Sequence, residues 1–188
     1  MSLLYSHILK IYPISEDAKQ ALTEHLKKID ITKGEYLLRE GTVCRNMYFL
    51  EAGCLRGFYI LQGKEVTHWF ASEKDFVTSF HSFITRTPSF ESLQAIEDSV
   101  LWSISYETLY MLYDKYPDVE RLGRIACENY YIRLEERYVN AQFKSATERY
   151  LQLMEQNPLF IQRIPLGYIA SFLGISQETL SRIRSKKF

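Results

Sequence analysis

The chain has 188 residues, 46% of them hydrophobic, and a formal net charge of zero. That length holds one large domain or a medium domain with a small one, and the apolar content excludes a disordered chain. Bulk charge does not announce a polyanion binder, but the charge is unevenly spread: residues 141–188 carry seven Lys or Arg against three Asp or Glu, and residues 1–140 carry sixteen against twenty. A basic C-terminal part on an acidic body suits a terminal polyanion-binding module.

Taken in chain order, residues 15–29 (SEDAKQALTEHLKKI) predict a helix. Ser15 can cap it, Glu16 and Asp17 favour its first turn, and Ala18, Ala21, Leu22, Leu26 and Ile29 share one face. From Gly34 to Ser105 the texture changes to short β-type runs: Tyr36–Arg39, Met47–Glu51, Leu55–Leu61, Glu65–Phe70, Phe76–Phe80, Ser92–Ile96 and Val100–Ile104. Turn signals at Lys33-Gly34, Glu40-Gly41, Ala52-Gly53 and Gln62-Gly63 separate them, which predicts an antiparallel sandwich or barrel. Tyr106–Tyr116 then reads as a short helix stopped before Pro117. Asp118–Gln142 reads as a long one, with Val119, Leu122, Ile125, Ala126, Tyr130, Leu134 and Tyr138 stepping by three or four. That stripe suits packing on the β-domain or against the same helix of a second chain, with Leu122, Ile125 and Tyr130 as the candidate dimer seam. Ala146–Glu155 is a further short helix.

Leu166–Arg184 (LGYIASFLGISQETLSRIR) carries the most information. Pro165 suits a helix start, Ile169, Ala170 and Leu173 give an apolar face, and small Ala170 permits a close crossing. Gly174 suits a left-handed turn, Ile175 inserts into the core, and Ser176 can cap a second helix whose buried pair is Leu180 and Ile183. Gln177, Glu178, Ser181 and Arg182 fall on the opposite side, where they are candidates for contacting base edges in a major groove. Ser176, Arg184, Lys186 and Lys187 are candidates for phosphate contacts. An ordinary helical hairpin with a solvated face is the competing reading. The spacing of a small Ala, a Gly four residues later, then apolar residues six and nine further on favours a helix-turn-helix.

With the β-region and the long helix, this segment resembles the Crp/Fnr family of bacterial transcription regulators. The resemblance rests on KGEYLLREG (Lys33–Gly41), YFLEAGCLRGFY (Tyr48–Tyr59) and, most specifically, GISQETLSRI (Gly174–Ile183), where Glu178, Ser181 and Arg182 repeat the E-x-x-S-R pattern of Fnr-type members. It implies an α+β chain: an N-terminal antiparallel β-roll of jelly-roll type over residues 1–116, a connecting dimerisation helix over 117–142, and a helix-turn-helix domain over 143–188. It further implies a homodimer on palindromic double-stranded DNA, base contacts from Glu178 and Arg182, and RNA polymerase as a further partner. The family's cyclic-nucleotide binders carry Gly-Glu for the ribose and an Arg followed by Ser or Thr for the phosphate. Here Thr78-Ser79 stands for Gly-Glu, the Arg position falls near Ser89, and Arg86-Thr87 is a nearby substitute about three residues away. Cyclic AMP is therefore not the expected effector, because a buried phosphate without a charged partner is unfavourable. Trp69, Phe76, Phe80, Phe83 and Arg86 are candidates for lining an effector pocket, with core packing the more common use of such aromatics. Residues 1–43 hold no cysteine, which leaves out the N-terminal cluster of the family's iron–sulfur sensors.

Two other readings compete: a β-roll sensor or scaffold that does not act through DNA, and a cupin-like metalloenzyme. The second needs clustered ligands, whereas His7, His25, His68 and His81 are scattered, and Cys44, Cys54 and Cys127 lack metal-ligand spacing. With no nucleophile motif and no phosphate loop, neither an enzyme nor a cofactor or metal site is expected. No apolar run approaches ~18 residues and no leader pattern is visible, so the expected location is cytoplasmic, without a membrane partner.

Overall fold

The computed structural model describes residues 2–185. The strands are β1 (Lys27–Ile31), β2 (Tyr36–Leu38), β3 (Asn46–Ala52), β4 (Leu55–Leu61), β5 (Lys64–Ala71), β6 (Phe76–Val77), β7 (Ser92–Ala95) and β8 (Ser99–Ser105). They form two four-stranded sheets, β1-β8-β3-β6 and β2-β7-β4-β5, with every pairing antiparallel. Alternation along the strands turns Leu38, Leu50, Leu55, Leu93 and Leu101 into the space between the sheets, where they are buried together. This is the expected β-roll.

Helix α1 (Ser2–Ile11) has no counterpart in the sequence reading. Helix α2 (Glu16–His25) starts on Ser15, whose hydroxyl accepts from the Ala18 amide, but it ends short of the expected Ile29. Lys27–Ile31 pairs with β8 instead, because Ile29 and Ile31 also satisfy the period of two and β8 offers a sheet edge. The expected strand 76–80 stops at Val77, and Phe80–Thr85 becomes the short helix α3.

Helix α4 (Tyr106–Lys115) is capped by Ser105, and α5 (Pro117–Phe143) begins with proline in its first turn, where the missing amide is tolerated. Helix α6 (Ala146–Gln156) starts in a capping box, with Ser145 and Glu148 each satisfying the other's backbone. The chain then runs through α7 (Phe160–Arg163), α8 (Leu166–Leu173) and α9 (Gln177–Ser185). A second core joins Tyr150, Leu153, Phe160, Ile169, Leu173 and Leu180, and it takes in Cys54 and Ile96 from the roll. Among the described residues no helix is long and apolar enough to cross a membrane.

Candidate nucleic-acid interface and ligand-binding region

Helices α8 and α9 form a tight two-helix unit. Gly174 adopts φ 65°, its amide donates to the Ser171 carbonyl, and the Ile175 amide reaches back to Ala170 O at 3.0 Å. These two bonds close a left-handed helix end that glycine reaches without strain. The Ser176 hydroxyl then accepts from the Thr179 amide at 3.2 Å and caps α9. Leu180 and Ile183 are buried, as their spacing predicted, and Ala170 lies buried at the crossing. Truncating a side chain such as Leu180 to alanine costs about 2–5 kcal/mol.

The opposite side of α9 is open. Gln177, Glu178, Ser181, Arg182 and Arg184 are all exposed, as is Ser176. Gln177 lies over Gly167, where a Cβ would stand 2.8 Å from its side-chain nitrogen. Arg182 donates to the Thr179 hydroxyl at 3.1 Å. The Glu178 carboxyl is held below its ordinary range by its own backbone amide first, then by the Ser176 hydroxyl, with Arg182 a weaker contributor. Lys186 and Lys187 lie outside the described residues.

The unit sits on the roll through α8 and the edge strand β5. The Thr67 amide donates to Ser171 Oγ at 3.0 Å, and that hydroxyl donates to Glu65 O at 3.2 Å, so the helix satisfies part of a sheet edge. Arg56 is 1% exposed; it donates to Gln94, Glu65 and Thr67, and its guanidinium stacks 3.7 Å over the Tyr168 ring. Arg163 bridges Glu73 at 2.8 Å, Glu97, and the Gly53 carbonyl at 2.8 Å. Its hydrogen bonds hold the Glu73 carboxyl down at about 2, and the two carboxylates raise the Arg163 guanidinium further. None of these groups carried a signal in the sequence beyond its charge.

Of the five residues expected around an effector pocket, Trp69, Phe83 and Arg86 do not border the cavity that Phe76 and Phe80 share. Arg86, in the left-handed region at φ 59°, donates to the carbonyls of Cys44 and Phe83 and stacks 4.2 Å over Tyr106. Phe83 is buried in the roll core. Trp69 lies against Gly57, where any Cβ would stand about 2.1 Å from the indole, and donates its N–H to Glu91 at 3.0 Å. Phe76 and Phe80 alone border a common cavity, described below with its other walls. The cassette's polar groups pair with one another: Ser79 Oγ contacts Ser89 Oγ at 3.0 Å, Thr78 donates to Asn46 O at 3.0 Å, and Ser82 donates to Thr87 O at 2.5 Å. Glu91, missed in the sequence, is 4% exposed and contacts His68 Nε2 at 2.6 Å. A charged residue opening a strand gives no sign of being turned inward. Among the described residues no group of three or more His, Cys, Asp or Glu stands together as a metal site.

The seam expectation needs correction at two of its three residues. Leu122 is buried inside its own chain against Leu4, Ile8 and Phe49, and Tyr130 stacks on Phe80 at 4.1 Å between ring centres. Both face the roll. Ile125 is half-buried, and the exposed apolar residues of α5 are Tyr131, Ile132, Leu134, Tyr138, Val139 and Phe143. Cys127, Tyr131, Leu134 and Tyr138 step by four, three and four, the seam spacing of a coiled coil.

Residues 28–116 match the family model of the cyclic nucleotide-binding domain. Over 169 residues the chain is 28% identical to the fumarate and nitrate reduction regulatory protein of Vibrio cholerae, covering 84% of this chain and 67% of that one. Its fold is similar to FixK2 from Bradyrhizobium japonicum (TM-score 0.72, 18% identity, 85% of this chain and 83% of that one). It is equally similar to a regulator of the crp/fnr family from Eubacterium rectale (TM-score 0.72, 19% identity, 93% and 85%). Residues 28–116 thus match the cyclic nucleotide-binding domain, and the chain as a whole is similar to regulators of the Crp/Fnr type.

Proposed function

We infer that this protein is a cytoplasmic, sequence-specific DNA-binding transcription regulator that acts as a homodimer on two-fold symmetric sites. The observation that carries the reading is the outer face of α9: Gln177, Glu178, Ser181 and Arg182 are exposed, while Leu180 and Ile183 do the packing. Such a face supports base-edge contacts in a major groove, with Arg182 giving a guanine two parallel hydrogen bonds. Residues 1–116 serve as the sensing roll, 117–142 as the dimer helix, and 143–188 as the DNA-binding unit; Ser176, Arg184, Lys186 and Lys187 are phosphate contacts. The dimer seam runs along Tyr131, Leu134 and Tyr138, with Ile125 at its margin. RNA polymerase is the downstream partner. Cyclic AMP is not the effector, because Ser79 and Ser89 pair with each other where the cassette would hold the nucleotide, and Arg86 is turned to Tyr106.

Selection of binding sites from random duplex DNA tests the reading. The expected product is a palindrome with half-sites about 34 Å apart. An enriched site without two-fold symmetry, or no enrichment at low salt, refutes it. Calorimetry with millimolar cyclic AMP is expected to show no binding.

A further inference from the structure

A cavity of about 260 Å³ lies on the outer side of the β1-β8-β3-β6 sheet. Ile8 of α1, Phe49, Phe76 and Trp102 of the sheet, and Ala126 and Tyr130 of α5 are among its walls. At roughly 30 Å³ per water-sized group, it holds about eight to nine non-hydrogen atoms. The walls are mostly apolar, and water in such a space has few partners.

The lining also holds charged and polar groups: His7 and Asp75, which are half-buried, and Lys74 and Arg133, which are exposed and so mark the solvent side of the cavity. Asp75 pairs with Arg133 at 3.2 Å, and among the described residues Lys74 makes no ion pair. Burial chiefly holds the His7 imidazole down; Asp75 acts against this, while Lys74, Lys10 and Arg133 reinforce it. Lys74 and Arg133 thus face one carboxylate, Asp75, at the edge of an apolar chamber, a combination suited to an anionic head on an apolar body.

We propose that this cavity binds a small amphipathic carboxylate, with its apolar body between α1, the sheet and α5 and its head between Lys74 and Arg133. The site is separate from the Ser79–Ser89 cassette, where the polar groups pair among themselves. It also has a route to an output, resting on the regulator reading above. Helix α5 presents Ala126 and Tyr130 to the cavity and Tyr131, Leu134 and Tyr138 to the outside. A bound ligand therefore favours one placement of the helix that carries the seam.

Decanoate is the probe, with decanol and decyltrimethylammonium as matched controls. Binding to the full chain is read by calorimetry and by Trp102 fluorescence in a Trp69→Phe background, both without DNA, so the result stands apart from the regulator reading. Decanoate is expected to saturate one site per chain and to bind more tightly than either control. The double change Lys74→Gln with Arg133→Gln alters only the exposed cations; it is expected to weaken decanoate about tenfold and leave decanol unchanged, the size of two partly exposed charge contacts together. Ala126→Phe is expected to abolish binding of both, with folding checked by its melting curve. No saturable decanoate binding at millimolar concentration, equal or tighter binding of the cationic control, or unchanged affinity in the double variant overturns the proposal.

Discussion

The outer face of α9 and the cassette around α3 carry similar polar residues and treat them in opposite ways. On α9 Glu178, Ser181 and Arg182 are exposed, and none of them is part of the buried core. In the cassette Thr78, Ser79, Ser82, Ser89 and Glu91 are buried and bonded to other protein groups. A buried polar group must be satisfied by the protein, so its bonding capacity is already used; an exposed one bonds water and can exchange it for a partner. The first region keeps its bonding capacity open to solvent, and the second spends it within the fold.

Substitutions can break this contrast, and the largest expected effect lies on the exposed apolar face of α5. Tyr138→Glu, at a residue 67% exposed in the single chain, is expected to leave the fold intact and yield a monomer whose operator affinity falls by at least about a hundredfold, since each monomer then binds one half-site. Light scattering and a gel shift read the two quantities; an unchanged dimer places the seam elsewhere.

Next comes Arg56, which is buried and bonded like the cassette. Arg56→Ala leaves Gln94 and Thr67 short of a donor and removes the stack on Tyr168, so a loss of about 3 kcal/mol is expected in urea unfolding. Full wild-type stability would mean that water replaces the guanidinium without cost.

Arg182→Ala sharpens the comparison from the other side. Discrimination at one base pair per half-site should fall by about 1–3 kcal/mol while the melting temperature stays nearly unchanged. Selected sites identical to those of the wild type at every position would make Arg182 a bystander. Lys186→Ala should weaken all sequences alike and reduce the salt dependence.

The smallest expected effect is at the joint between the roll and the C-terminal unit. Glu73 titrates at about 2 in the folded chain, against an ordinary 4.5. A carboxyl depressed in this way contributes stability in full above pH 4.5, and loses it as pH falls through 2. Glu73 is about one-third exposed, so solvent screening keeps the contribution small. Glu73→Gln should flatten the stability profile between pH 4.5 and 2; an identical slope would show that the Arg163 bridge is not coupled to folding.

The helix-turn-helix was legible because its rules are local. The Gly174 turn, the Ser176 cap and the Leu180–Ile183 pair each depend on neighbours within a few residues. Strands β4 and β7 and the start of α5 were legible for the same reason, through alternation and Pro117. The roll's strand β1 was not, because Leu26 and Ile29 fit a helical stripe and a strand equally well until β8 supplied a partner. The stripe along α5 likewise gave apolar positions without saying which face meets the roll.

The sequence by itself thus determined the element types outside α1, β1, α3 and α7, the two-helix unit of α8 and α9, and the absence of the usual Gly-Glu and Arg of a cyclic-nucleotide cassette. Tertiary structure alone decided that Leu122 and Tyr130 turn inward, that Arg86 reaches Cys44 and Tyr106, and that Arg163 ties Glu73 and Glu97 to the C-terminal unit. Glu73 and Arg163 are ninety residues apart in the chain, and the partners Arg86 and Cys44 are separated by forty-two. Local propensity acts over a turn or two of backbone, whereas which side chains become neighbours across such separations is set by how sheets and helices close on a common core.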